Sequence, residues 1–180
     1  MKKITILGST GSIGVSTLDV IEKNPKAFKV TALASVSTRE DAEKLRQILG
    51  RRKKIPILYD ETGVEEVASY PSSDMVVSAI SGAAGLKPTL AAIEVGRDVA
   101  LANKETMVIA GDIVTRRAKK KKIKILPVDS EHSAIFQCLA GQKAQYLRRI
   151  ILTASGGPFY RLSRNELKKV TLEQALRHPR

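Results

Sequence analysis

Six short apolar runs, each followed by a helical pattern, constrain this chain more than any other feature. The runs fall at 3–7, 28–34, 55–59, 75–80, 98–102 and 123–126. After the first, Ile13, Thr17, Val20 and Ile21 share one helical face before Asn24-Pro25 stops the pattern. Helices are expected again at 39–49, within 60–70, at 86–95 and at 106–121. Regular alternation of this kind predicts the α/β class, with a Rossmann-like doubly wound parallel sheet. Ligands of such sheets collect at the carboxyl ends of the strands. The polar clusters lie there, at 8–14, 35–39, 81–85, 103–105 and 129–131. After residue 132 the pattern changes. A helix at 134–139 and a strand at 148–154 lead into Ser155-Gly156-Gly157-Pro158-Phe159, a loop whose hydroxyl and N–H groups suit a phosphate. Ser163 and Glu166 have capping-box spacing, and a further helix starts at Thr171.

The first strand runs into Gly8-Ser9-Thr10-Gly11-Ser12-Ile13-Gly14. Strand, glycine turn and helix are the context in which glycines mark a dinucleotide site. Gly8 allows the tight turn, Gly11 lets the backbone approach a pyrophosphate, and Gly14 lets helix and strand pack closely. Thr10 and Ser12 add hydroxyls. After the second strand, an NAD site usually carries a carboxylate for the ribose 2′-hydroxyl. Here Ser35-Val36-Ser37-Thr38-Arg39 precede the first acid, Glu40. Hydroxyls and an arginine favour a 2′-phosphate, hence NADP. Ser37 or Thr38 as a plain helix cap is the competing reading, and both can hold together.

Pro127-Val128-Asp129-Ser130-Glu131-His132 follows the sixth run. On an extended backbone Asp129 and Glu131 point the same way, two hard oxygen donors that suit Mg²⁺ or Mn²⁺. The bland reading is a polar loop in which Asp129 caps a helix starting near Ser133.

Composition narrows the partners. Aromatics are only 4% of the chain, so the core is aliphatic. The formal charge of +13 favours anionic ligands, phosphorylated small molecules among them. Part of it is the block Arg116-Arg117-Ala118-Lys119-Lys120-Lys121-Lys122, which reads as a solvated helix end. No aromatic residue interleaves with it, so a nucleic-acid partner is not expected. Cys138 is the one cysteine, which rules out an intrachain disulfide and fits a reducing compartment. No leader and no long apolar span is read in the sequence, so the expectation is a cytoplasmic protein without a membrane partner.

These motifs in this order resemble the 1-deoxy-D-xylulose 5-phosphate reductoisomerase family. The resemblance rests on the glycine turn at 8–14, Gly82-Ala83-Ala84-Gly85-Leu86, Leu101-Ala102-Asn103-Lys104-Glu105, Leu126–His132, the 155–159 loop and Arg177-His178-Pro179. It implies a NADP-binding Rossmann-like domain over 1–128 and the start of an α+β catalytic domain, binding metal and substrate, over 129–180. It implies NADPH contacts at Thr10, Gly11, Ser12, Ile13, Asn103 and Glu105, to which the residue pattern itself adds Gly8 and Ser37. It implies substrate contacts at Lys104, Ser130, Glu131, Ser155 and His178, and metal ligands at Asp129 and Glu131. Mg²⁺ or Mn²⁺ is the expected ion, with Co²⁺ a further candidate. Lys104 and Glu131 are then the catalytic candidates. The implied reaction rearranges 1-deoxy-D-xylulose 5-phosphate and reduces the product with NADPH to 2-C-methyl-D-erythritol 4-phosphate, in non-mevalonate isoprenoid biosynthesis. Family members are homodimers. The sequence departs from the family at Val36, where a glycine is usual, and at Ser37-Thr38, where a basic or amide pair is frequent, and is shorter over 51–73. A third metal ligand, a loop over the active site and a helical C-terminal domain follow the His-Pro motif in the family. These 180 residues alone are therefore expected to bind NADPH without turning over substrate. The alternative is a non-catalytic NADP-binding module.

Overall fold

The computed structural model describes every residue except 36–39, 41, 42, 44, 47–54, 152–156 and 178–180. It divides into two compact units, Met1–Ala140 and Gly141–Arg180.

The first unit is built on one parallel sheet. Its strands are β1 (Lys2–Leu7), β2 (Phe28–Ala34), β3 (Ile57–Leu58), β4 (Met75–Ser78), β5 (Asp98–Leu101) and β6 (Ile125–Pro127), in the spatial order β3-β2-β1-β4-β5-β6. Each apolar run of the sequence therefore contributes a strand, several of them trimmed at an end. The order reverses between β1 and β4, which pair in register from Ile4↔Met75 to Leu7↔Ser78. The loops that leave these two strands diverge to opposite sides and open a crevice. The helices are α1 (Ser12–Lys23), α2 (Asp60–Ala68), α3 (Leu86–Glu94), α4 (Lys104–Lys121) and α5 (Ser130–Leu139).

Both faces of the sheet are covered, which is why its strands read as continuous apolar runs. Pleating sends alternate side chains to opposite faces. Val76, Val99 and Leu101 join a cluster with Val64, Val67, Ile93 and Val114 from α2, α3 and α4. Met75, Val77 and Ala100 join Ile4, Ile6, Ile21 and Leu45 in a second cluster. Leu45 lies in the helix expected over 39–49, most of which falls outside the described residues.

The basic block runs through the last two turns of α4 into its C-cap. Lys119, Lys120 and Lys121 complement the negative end of the helix dipole, and Lys122 closes the helix in the left-handed region at φ 57°. Glu94 binds Arg117 at 3.1 Å and Lys121 at 3.3 Å.

In the second unit, Ala144–Tyr146 form a single 3₁₀ turn. It also holds α6 (Arg164–Leu167) and α7 (Leu172–Leu176). Each of these helices starts with a complete capping box, Ser163 with Glu166 and Thr171 with Gln174. The strand expected over 148–154 is not formed at 148–151, and 152–154 lie outside the described residues. A strand needs a neighbour for its N–H and C=O groups, and Ile150 and Ile151 are instead exposed.

Candidate active site

The glycine turn lies at the carboxyl end of β1. Gly8 has φ 79°, and a Cβ there would stand 2.5 Å from the Ala79 carbonyl oxygen, so only glycine fits. The N–H groups of Gly8 and Ser9 donate to Ala34 O at 2.9 and 3.1 Å, and the Ser9 hydroxyl donates to the same oxygen at 2.9 Å. These bonds fix the turn against the end of β2. Thr10 Oγ1 and Ser35 Oγ, 3.3 Å apart, add a second tie. The helix that follows begins at Gly11 with no side-chain cap and no acid in its first turn. Its leading N–H groups and the positive end of its dipole are left to an anion.

Facing the turn across the crevice are the loop that leaves β4 and the start of α4. Gly11, Ser12, Ile13, Ala79, Ile80, Ser81, Ala102, Asn103, Lys104 and Glu105 enclose a cavity of about 210 Å³. Five residues expected at the cofactor (Gly11, Ser12, Ile13, Asn103 and Glu105) thus come together. Gly8 supports the turn from beneath, and Thr10 is turned to Ser35. Ser37 lies outside the described residues, as do Ser155 and His178.

Lys104 also borders a second cavity, of about 160 Å³, with Leu101, Met107, Ile125, Pro127, Asp129 and His132. Its Nζ lies 2.9 Å from Asp129 Oδ2. His132 Nδ1 approaches the other carboxylate oxygen at 2.9 Å, a hydrogen bond in the tautomer that carries its proton on Nδ1. His132 and Lys104, in that order, hold the Asp129 carboxyl down at about 2, against the upward push of burial. Asp129 in turn raises the Lys104 ammonium above its ordinary value. Ser130 Oγ donates to Glu131 Oε2 at 2.6 Å.

The backbone here differs from the extended one expected. The last strand ends at Pro127, Asp129 is the N-cap of α5, and Ser130 and Glu131 are already in its first turn. Asp129 and Glu131 are therefore not alternate residues of a strand. The helix starts at Ser130 rather than near Ser133, and Asp129 makes no side-chain cap bond. Its carboxylate is taken by Lys104 and His132. Among the described residues no three His, Cys, Asp or Glu side chains gather as a metal site. The donors that exist, Asp129 and Glu131, are hard oxygens suited to Mg²⁺ or Mn²⁺. Sequence reasoning assigned no role to His132 or Thr106, which act through partners that only the fold brings close.

A six-stranded parallel sheet with a glycine turn and an uncapped helix at its switch point defines a Rossmann-like α/β domain. The pattern of the 1-deoxy-D-xylulose 5-phosphate reductoisomerase family matches residues 4–41 and 33–111, and that of the family's C-terminal domain matches 125–180. The chain belongs to this family. The reductoisomerase of Chlorobaculum tepidum is 52% identical across 99% of this chain and 52% of its own length. That of Geobacillus sp. is 49% identical with the same coverage. The chain thus spans about half the length of the curated relatives it matches. Among solved structures, the reductoisomerase from Zymomonas mobilis in complex with NADPH superposes with a TM-score of 0.75 at 39% identity, over 99% of this chain and 52% of that one. A reductoisomerase in complex with NADPH, fosmidomycin and magnesium gives 0.72 at 35%, over 99% and 51%. A homoserine dehydrogenase from Thiobacillus denitrificans shares the fold alone, with a TM-score of 0.56 at 24% identity over 69% of this chain and 28% of that one.

Proposed function

We propose that this chain carries the NADPH site and two of the metal-binding carboxylates of an enzyme that converts 1-deoxy-D-xylulose 5-phosphate to 2-C-methyl-D-erythritol 4-phosphate. One observation carries the reading: Lys104 borders both the cavity beneath the glycine turn and the cavity that holds Asp129. A nucleotide in the first and a substrate beside the second would meet at this lysine.

The roles of α1 and Lys104 are argued from the site's geometry, and those of Ser130, Asp129 and Glu131 rest on the family resemblance. The free N–H groups at the start of α1 hold the pyrophosphate. Small side chains at Ala79, Ser81 and Ala102 leave room for the cofactor. The Lys104 ammonium binds a substrate oxygen and offsets negative charge as it develops there. Asp129 and Glu131 would hold Mg²⁺ or Mn²⁺, and the Ser130 hydroxyl would reach the substrate. When bound, NADPH supplies a hydride and the divalent cation supplies Lewis-acid polarisation of the substrate oxygens. Ser155 and His178 belong to the proposal on family resemblance, as do a phosphorylated substrate and a homodimer, while Ser37 rests on the hydroxyls and arginine after the second strand and a cytoplasmic setting on the single cysteine. No helix among the described residues is long and apolar enough to cross a membrane.

A second reading, a dinucleotide module without chemistry, draws on one finding. Both oxygens of Asp129 are engaged by protein groups. Two titrations of the 180-residue chain separate the readings. Nicotinamide fluorescence should show saturable NADPH binding, tighter than NADH binding. Electron paramagnetic resonance of Mn²⁺ should show loss of the free-ion signal, restored in Asp129→Asn. NADPH binding without Mn²⁺ binding selects the module. Absence of NADPH binding overturns both readings.

A further inference from the structure

We propose that Asn103 is a positioning residue, whose buried amide staples the loop after β4 to the first turn of α4 and so sets the spacing of the wall against which NADPH binds. The inference rests on the NADPH reading above and departs from the resemblance, which makes Asn103 a cofactor contact.

An asparagine amide offers two N–H donors and two acceptor positions. Nδ2 of Asn103 donates to Ile80 O and to Gly82 O, the latter at 2.8 Å. Oδ1 accepts from the Thr106 N–H at 2.8 Å and from the Thr106 hydroxyl at 3.0 Å. All four positions are filled within the protein, and the residue is 3% exposed. No hydrogen-bonding capacity is left for a ligand at this side chain. The main chain joins the same knot, because the Asn103 N–H donates to Ser78 O at 3.3 Å.

The bonds cross between two strand ends. Ile80 and Gly82 leave β4, and Asn103 leaves β5, a sequence separation of 23 and 21 residues. Asn103 itself lines the cavity with Ile80, Ser81, Lys104 and Glu105, while the glycine turn forms the facing wall. Gly85 leaves room for the staple, since a Cβ there would lie 3.0 Å from Asn103 Cγ and 2.9 Å from Ile80 O. No other side chain of similar size meets the demand. Aspartate keeps the acceptor for Thr106 but turns a charged oxygen toward two carbonyls. Leucine leaves every partner unsatisfied.

Asn103→Asp separates positioning from contact, because the cap on α4 survives while the ties to the loop are lost. Amide hydrogen exchange is measured by mass spectrometry without nucleotide, and NADPH affinity by fluorescence titration. The expected result is exchange about tenfold faster across 79–85, unchanged exchange in β1, and an NADPH dissociation constant weaker by about tenfold. With no nucleotide present, loss of a ligand contact cannot produce the exchange result. Weaker NADPH binding with wild-type exchange at 79–85 would make Asn103 a direct contact and overturn the proposal. Faster exchange with unchanged affinity would overturn it as well. If Asn103→Asp does not fold, Thr106→Val removes only the hydroxyl donor to Oδ1, and an intermediate rise in exchange is expected from it. Wild-type exchange in that variant would count against the staple. Failure of the wild-type chain to bind NADPH would instead remove the function proposed above and leave the exchange comparison standing.

Discussion

Ser12 shows how a single position can separate stability from binding. It is the first helical residue of α1, behind a Gly11 cap that offers no side-chain acceptor. Among the described residues five other helices (α2, α4, α5, α6 and α7) carry an acid in the first turn, where the dipole favours it, whereas α1 and α3 do not. An acid at the start of α1 would place its own charge where the pyrophosphate belongs. Ser12→Glu should therefore leave the thermal midpoint unchanged or slightly raised, since an acid at a helix start contributes about 0.3–1 kcal/mol. The same variant should weaken NADPH binding at least about tenfold, because like charges compete for one set of N–H groups. Loss of stability together with binding would show that Ser12 supports the turn rather than the ligand. Asp129 makes a different point. Its carboxyl sits at about 2 instead of the ordinary 3.8, so the ionised form is favoured in the folded state. The stabilisation that results is fully present above about pH 4 and is lost as pH falls through about 2. A carboxyl carbon titration by NMR should place the Asp129 midpoint near 2. Lys104→Met should move it upward, leaving His132 as the remaining partner. An unmoved midpoint would mean that the 2.9 Å contact with Lys104 does not persist in solution.

At the scale of elements, α3 and α4 show which apolar residues hold the sheet. Ile93 on α3 is fully buried against Val76 and Val99, whereas Val108 on α4 is 85% exposed. Ile93→Ala should cost about 2–5 kcal/mol, the transfer term plus the cavity left behind. Val108→Ala should stay within about 0.5 kcal/mol, as surface changes do. Urea denaturation of the two variants checks both figures, and similar losses would mean that Val108 is covered in solution. The six strands of the sheet, the glycine turn and the Ser163 capping box can be read from the sequence because each is a local signal, whereas the strand expected over 148–154 is not formed at 148–151. Period, turn chemistry and N-cap spacing all act within a few residues. The staple at Asn103 could not be read, since it depends on β4 and β5 being neighbours, and sequence gives strand succession more readily than loop placement. The backbone of the carboxylate stretch departs from the extended one expected for a related reason. Period-two reasoning holds only while the chain is extended, and the chain turns helical at Ser130, with Ser133 N–H donating to Asp129 O at 2.8 Å. The two carboxylates remain near each other, but through a helix start. His132, one turn further along, becomes the partner that strand logic would have pointed away.

For the molecule as a whole, the two compact units differ in what they bury. Met1–Ala140 holds the six-stranded sheet, both apolar clusters, the two cavities and the Lys104–Asp129 pair. Among the described residues of Gly141–Arg180 none is buried, and Tyr160, Leu172 and Leu176 are exposed. A segment without a core adds little to a cooperative transition, because burial of apolar area is the main favourable term in folding. A chain ending at Ala140 should therefore unfold within about 2 °C of the 180-residue chain, less than the shift that 1 kcal/mol gives in a domain of this size. It should also bind NADPH with an affinity within about threefold of the longer chain's, a difference under 1 kcal/mol. The N–H groups of α1, the small residues after β4 and Lys104 all precede residue 140, and among the described residues none beyond it lines either cavity. Calorimetry and fluorescence titration of the two chains decide the matter. If stability holds but NADPH affinity falls by more than about tenfold, residues 141–180 supply a nucleotide contact, and the site extends past the sheet that frames it. If the midpoint itself drops, these residues pack in solution against an apolar surface of the first unit.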